Sequence, residues 1–208
     1  MPTHLLIADE YALFGAVTAM ATTSVCPAAR VVLAQGRLFT PAPWPRSGAP
    51  RRGASGRCHR NALRVARLLS GVYVEGYALT AEGTARAHAW CATADGTVLD
   101  PAWPEGEARA YLGVPMATEF VLAFQQRTLT KTRFRGVLDE DVQARDAGRI
   151  YQAGVPLHGR LDVGRPHPLT TAEPGAGRGT CWRTREWGRD RTVPAEDRVG
   201  GRDEEPWQ

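Results

Sequence analysis

Residues 86–103 read RAHAWCATADGTVLDPAW. Strand-forming segments flank an Ala-Asp-Gly punctuation, which predicts a β-hairpin. Alternation along the first strand points His88 and Trp90 to one face and Cys91 to the other. The turn then decides where Asp100 goes. A two-residue Asp95-Gly96 loop would set Asp100 opposite Cys91, facing away from His88. A three-residue loop, Ala94-Asp95-Gly96 with a left-handed Gly96 in a bulge, sets it opposite Trp90 and diagonal to His88 on one face. Both turns suit the local sequence.

Upstream, SGRCHRNALRVARLLSGVYVEGYAL spans residues 55–79. Ala62, Val65, Ala66, Leu68 and Leu69 recur at helical spacing, with Arg60, Arg64 and Arg67 on the other face. Ser70-Gly71 ends that helix, and VYVEGYAL follows as a strand. A helix carrying Cys58 at its start, packed on an antiparallel sheet that contains the hairpin, predicts an α+β fold with its core in residues 57–126.

The flanks are less regular. Residues 1–24 predict a short helix, and ARVVLAQGRLFTP predicts a strand pair or strand–turn punctuated by Gly36. The Pro-, Gly-, Arg- and Ser-rich segment 41–56 reads as a long loop beside a candidate site. A helical turn is expected near 107–112, a helix or strand around 118–126, and a helix over 139–152 capped by Asp139. One domain is expected over residues 1–158. Residues 159–208 are too rich in Pro, Gly and charge to bury a core and are expected to be disordered, with a local turn around Trp182 and Trp187.

The 208 residues are 43% hydrophobic and 23% charged, an ordinary globular balance. The net charge of +4 is modest, and no Arg/Lys stripe is interleaved with aromatics, which argues against a nucleic-acid partner. Four cysteines without a CxxC pair argue against a disulfide-stapled secreted domain. The first residues lack a basic opening, and Asp9 and Glu10 interrupt their apolar run, so neither a signal peptide nor a membrane span is expected. The default location is the cytoplasm.

The chemistry concentrates on Cys58, His88 and Asp100. The thiolate is the useful nucleophile, and a helix N-terminus and a nearby imidazolium both favour it over the ordinary thiol, which titrates near ~8.5. His88, opening a strand, can supply the imidazolium, and Asp100 can fix the imidazole's tautomer and orientation. Each residue also has a structural reading: a buried cysteine, a satisfied histidine, an Asp-Pro strand exit. The rival chemistry is a zinc site from Cys58, His59, His88 and Cys91. His88 and Cys91 should face opposite sides of one strand, and metal-ligand spacing is absent, so no metal or other cofactor is expected. The zinc-deaminase signature is also absent.

The motifs GRCHRNA, AHAW and DGTVLDPAW resemble the papain-like and transglutaminase-like superfamily of cysteine hydrolases and acyltransferases. The chain is also similar to small phage and bacterial proteins that share Cys-His-x-Asn-Ala, Glu-Gly-Tyr-Ala, His-Ala-Trp and Asp-Pro-x-Trp. The resemblance covers about residues 57–115. It implies Cys58 as nucleophile, His88 as general base and acid, and Asp100 as the orienting group. Papain-like enzymes place a glutamine shortly before the cysteine. No Gln lies in 41–57, so the nearest upstream candidate is Gln35, and the Cys58 backbone N–H is a further donor. Asn61, one turn after Cys58, is a candidate to bond a neighbouring loop. Glu75 is either a group near the site or a solvated strand edge. Trp90 and Trp103 are candidates to wall the cleft. The expected activity is a thiol-dependent hydrolase or acyl transferase acting on an amide, isopeptide or thioester of a peptide, protein or small molecule. The alternative is a non-enzymatic accessory protein of phage or mobile-element origin that keeps the fold.

Overall fold

Among the described residues, five antiparallel strands in the order β1-β5-β2-β3-β4 form one sheet, with helices packed against it. The computed structural model describes residues 6–23, 26–48, 50–128 and 134–168, all within the first of two units of the chain, Met1–Glu173. The expected turn at Trp182 and Trp187 lies outside the described residues.

The element order is α1 (Ala8–Thr22), α2 (Pro27–Gln35), β1 (Arg37–Phe39), α3 (Cys58–Leu69), β2 (Val72–Thr80), β3 (Ala85–Ala92), β4 (Val98–Leu99), β5 (Ala108–Met116), α4 (Thr118–Thr128), α5 (Glu140–Arg145) and α6 (Arg149–Ala153). A 3-10 turn follows at Leu157–Gly159. Ser70, left-handed at φ 50°, caps the end of α3 and lets the chain reverse into β2.

The sheet curls until its two edges touch. Thr40, just past β1, donates to the Gly96 carbonyl at 3.0 Å and accepts from the Val98 N–H at 2.9 Å. Strand alternation then divides the core in two. Phe39, Val74, Trp90, Val98 and Tyr111 pack together inside the curl, while Tyr73, Tyr77, Cys91, Leu112, Val114 and Met116 face the helices. Room for the Trp90 indole comes from Gly113, where a Cβ would stand 2.6 Å from the ring.

Four expectations give way here. ARVVLAQ is not a strand but α2: Pro27 opens it, and Ala28, Val31 and Val32 recur on one buried face. Packing overrides the β-propensity of the valines. The segment expected to form a helical turn at 107–112 is the start of β5, which pairs with β1 on one side and β2 on the other. The helix expected over 139–152 keeps its Asp139 cap, whose side chain accepts from the Val142 N–H at 3.2 Å, but it breaks into α5 and α6. Ala147 and Gly148, both at positive φ, make the break. The expected domain boundary at residue 158 falls inside a packed segment, because Arg160 bridges Met116 and Arg165 bridges Leu38. Backbone pairing and the ion pair of Arg165 with buried Glu10 hold that segment, so an aliphatic pattern is not needed. No helix among the described residues is long and apolar enough to cross a membrane.

Candidate functional site

The hairpin loop has the three-residue form. Thr93 N donates to Thr97 O at 2.9 Å, Gly96 N donates to Thr93 O at 3.0 Å, and Gly96 stands at φ +83°. Cys91 therefore pairs with Leu99, and Asp100 falls opposite Trp90, one step beyond β4.

Asp100 is consequently within reach of His88, whose Nε2 lies 2.7 Å from Oδ2. The same oxygen accepts from the Tyr111 hydroxyl at 3.0 Å. Oδ1 accepts from the N–H groups of Ala102 and Trp103, at 2.9 and 3.1 Å, in the turn that Pro101 begins. Burial raises the Asp100 carboxyl, but the hydrogen bond and charge of His88 and these two N–H groups outweigh it and hold the group below the usual carboxylate range. The Trp103 ring lies flat on the His88 imidazole, with centroids 3.9 Å apart. Trp90 is fully buried behind it, so of the two tryptophans Trp103 borders the site and Trp90 belongs to the core.

Cys58 arrives at the first turn of α3. Contacts pin the segment before it: Gly53 N donates to Pro101 O at 2.8 Å, and Asn61 Nδ2 donates to Ala54 O at 2.8 Å. Asn61 is thus the loop anchor, and it packs so closely on Gly53 that any Cβ there would overlap it. With Nε2 committed to Asp100, Nδ1 is the His88 atom left to face the thiol.

The thiol interacts with two imidazoles. Burial pushes Cys58 up, yet hydrogen bonding and charge from His59 and His88 prevail and bring it down to about 6. For His88, burial alone would lower the pKa, but the bond to Asp100 and the interaction with Cys58 raise it to about 9. The resting pair at neutral pH is therefore thiolate and imidazolium. His59 is also raised against the effect of burial, by its hydrogen bond to Cys58 and the charge of Glu75.

Glu75 is buried at 1% exposure, not a solvated strand edge. Its carboxylate accepts from Tyr73 Oη at 2.5 Å, Val137 N at 2.6 Å and Leu138 N at 2.8 Å. These bonds satisfy a group that would otherwise be costly to bury. Tyr73 Oη also lies 3.2 Å from His59 Nδ1, so His59, Tyr73 and Glu75 form a chain behind the thiol. Gly136 closes over it at φ +111°, where a Cβ would stand 2.6 Å from His59 Nδ1 and 2.7 Å from Glu75 Oε2. Gly136→Ala is expected to cost on the order of 2 kcal/mol or more in chemical denaturation, because backbone strain and overpacking coincide. A stability equal to wild type would contradict this packing.

A cavity of about 330 Å³ opens beside the thiol's partners, lined by His59, Glu75, Gly76, His88, Leu138 and Glu140 among others. It is large enough for a peptide side chain or a small acyl group. A second cavity, about 230 Å³, lies on the far side of Asp100, between Trp44, Arg52, Trp103 and Tyr111.

Gln35 is not part of this site. Its amide pairs with the Val155 backbone, donating to O at 3.3 Å and accepting from N at 2.8 Å, which ties α2 to the end of α6. Cys91 turns to the helix-facing core, fully buried, and burial pushes its thiol up to about 12. Among the described residues no group of three or more His, Cys, Asp and Glu is placed to hold a metal ion. Sequence reasoning missed Tyr73 and Tyr111 as partners of the acids, and weighed His59 only as a metal ligand. The Cys-His dipeptide at a helix start was the available signal for His59. No protein-family model, no curated protein and no solved structure matches this chain.

Proposed function

We propose that this protein is a thiol-dependent hydrolase or acyl transferase of papain-like or transglutaminase-like type, working in the cytoplasm, where its thiol stays reduced. The observation that carries the reading is the hydrogen-bonded His88–Asp100 pair beside a thiol at a helix N-terminus. The Cys58 thiolate attacks a carbonyl carbon, forming a C–S bond as the carbonyl electrons move to oxygen. The tetrahedral adduct collapses, the bond to the leaving group breaks, and His88 Nδ1 delivers its proton to that group. Water or an amine, deprotonated by the now neutral His88, attacks the thioester and returns Cys58 as thiolate. Asp100 keeps the imidazole oriented throughout and stabilises its cation.

The test is acylation of the full chain by p-nitrophenyl acetate, followed by nitrophenolate release and intact mass. One acetyl group on Cys58, absent in Cys58→Ser, is expected. The pH dependence has a defined sign. Below about 6 the sulfur holds its proton and is a poor nucleophile; above about 9 His88 has lost the proton it must donate. A bell between those limbs is expected for acyl transfer from an amide or thioester, and iodoacetamide alkylation of Cys58 should rise through about 6. Alkylation that rises only near ~8.5, as for a free thiol, would overturn the activated nucleophile and favour a binding role for the fold.

A further inference from the structure

Acyl transfer through Cys58 builds negative charge on the carbonyl oxygen, and that charge needs a donor aimed at it. Gln35 is committed to Val155, 120 residues along the chain. We propose that His59 is a catalytic residue that supplies this donor, its Nε2–H holding the carbonyl oxygen as it becomes an oxyanion. The proposal rests on the thiol reading above.

The hydrogen-bond chain assigns the tautomer. Tyr73 gives its one hydroxyl proton to Glu75, so toward His59 the phenol oxygen can only accept. His59 Nδ1 therefore carries a proton, and Nε2 is the nitrogen left for the thiol. The buried Glu75 carboxylate, 3.9 Å from Nδ1, favours the doubly protonated ring, whose added proton sits on Nε2. Two imidazoles consequently meet one sulfur, each backed by its own acid: His88 by Asp100, His59 by Glu75. Their roles divide by what each can release. His88 has a proton path to the leaving group. His59 is held rigidly by Tyr73 and by Gly136 above it, which suits a fixed donor better than a shuttle.

The step needs no proton transfer at His59. In the resting state its Nε2–H faces the thiolate. As the C–S bond forms, the charge leaves sulfur for an oxygen two bonds away, and the same N–H changes partner from sulfur to oxygen. Both His59 and His88 line the cavity where that oxygen would sit.

Two probes of one thiol separate this role from simple thiolate activation. Acetylation by p-nitrophenyl acetate passes through an oxyanion, whereas alkylation by iodoacetamide does not. In His59→Ala the ratio of acetylation to alkylation rates, measured on the same protein, is expected to fall about 100-fold. His59→Gln, which keeps an uncharged N–H of similar reach, should recover about tenfold of that loss. A ratio within about threefold of wild type in both variants overturns the proposal, since single oxyanion donors are worth far more than that. It would leave His59 as a residue that merely tunes the thiolate. A wild-type protein that acetylates no faster than Cys58→Ser overturns the thiol reading and this proposal with it. A misfolded variant would betray itself by alkylation of Cys91 as well, a thiol that the folded protein keeps buried.

Discussion

Asp100→Asn is expected to slow acylation of Cys58 by on the order of 10⁴-fold near neutral pH while leaving the fold in place. The carboxylate oxygens have different duties. Oδ1 accepts from two backbone N–H groups, Ala102 and Trp103, and Oδ2 accepts from His88 and Tyr111. An asparagine must keep its carbonyl oxygen toward the two fixed N–H groups, which turns its NH₂ toward His88. His88 can then meet it only with an unprotonated Nε2, which puts the imidazole proton on Nδ1. A neutral imidazole with its proton facing sulfur cannot take one from the thiol, and the ion pair is lost. Two changes should appear together: the burst of nitrophenolate collapses, and the alkylation profile of Cys58 moves up from about 6 toward that of an ordinary thiol. Circular dichroism should be unchanged, since Asn occupies the same volume and keeps the turn at Pro101. A loss of less than about tenfold would show that Asp100 does not govern the imidazole, contrary to the role such acids play in triads.

That sensitivity explains why part of this site was legible in the sequence and part was not. The amphipathic pattern of 58–69 and the alternation of 85–99 are local, so α3 and the hairpin could be read directly. The turn could not, since two- and three-residue loops both fit Ala94-Asp95-Gly96. What favours the longer one includes contacts from far away: Thr40 bonds Gly96 and Val98, and Gly164 packs against Gly96. Residues 107–112 looked helical because Glu-Ala-Arg-Ala is a good helix former. Strands on both sides of β5 decide otherwise, and with the strand misread the face of Tyr111 was hidden too. Glu75 was ambiguous for the same reason. A carboxylate in an apolar strand is an error or a device, and only the backbone of Val137 and Leu138, more than 60 residues later, shows it to be a device.

Glu75→Ala is expected to be the most destabilising single change near the site, by about 3–4 kcal/mol. The carboxylate satisfies the Tyr73 hydroxyl and the N–H groups of Val137 and Leu138, all in buried surroundings. An alanine leaves three donors unmet, and water entering from the adjoining cavity can serve only some of them. For a chain of this size the midpoint of thermal unfolding should fall by about 10 °C. Glu75→Gln should cost less, about 1–2 kcal/mol, because Oε1 already accepts two of the three bonds. Its NH₂ would then oppose the Leu138 N–H, and the segment over His59 should loosen. The two variants share a further consequence. Without the Glu75 charge, one of the causes that raise His59 disappears, so its affinity for a proton should fall in both, read by the C2–H resonance of His59 across pH. A denaturation loss below about 1 kcal/mol for Glu75→Ala would mean that the donors find other partners. In that case the Glu75 carboxylate would not be what joins the wall of the cavity to the imidazole behind the thiol, and the rigidity asked of His59 would have to come from Gly136 and Tyr73 alone.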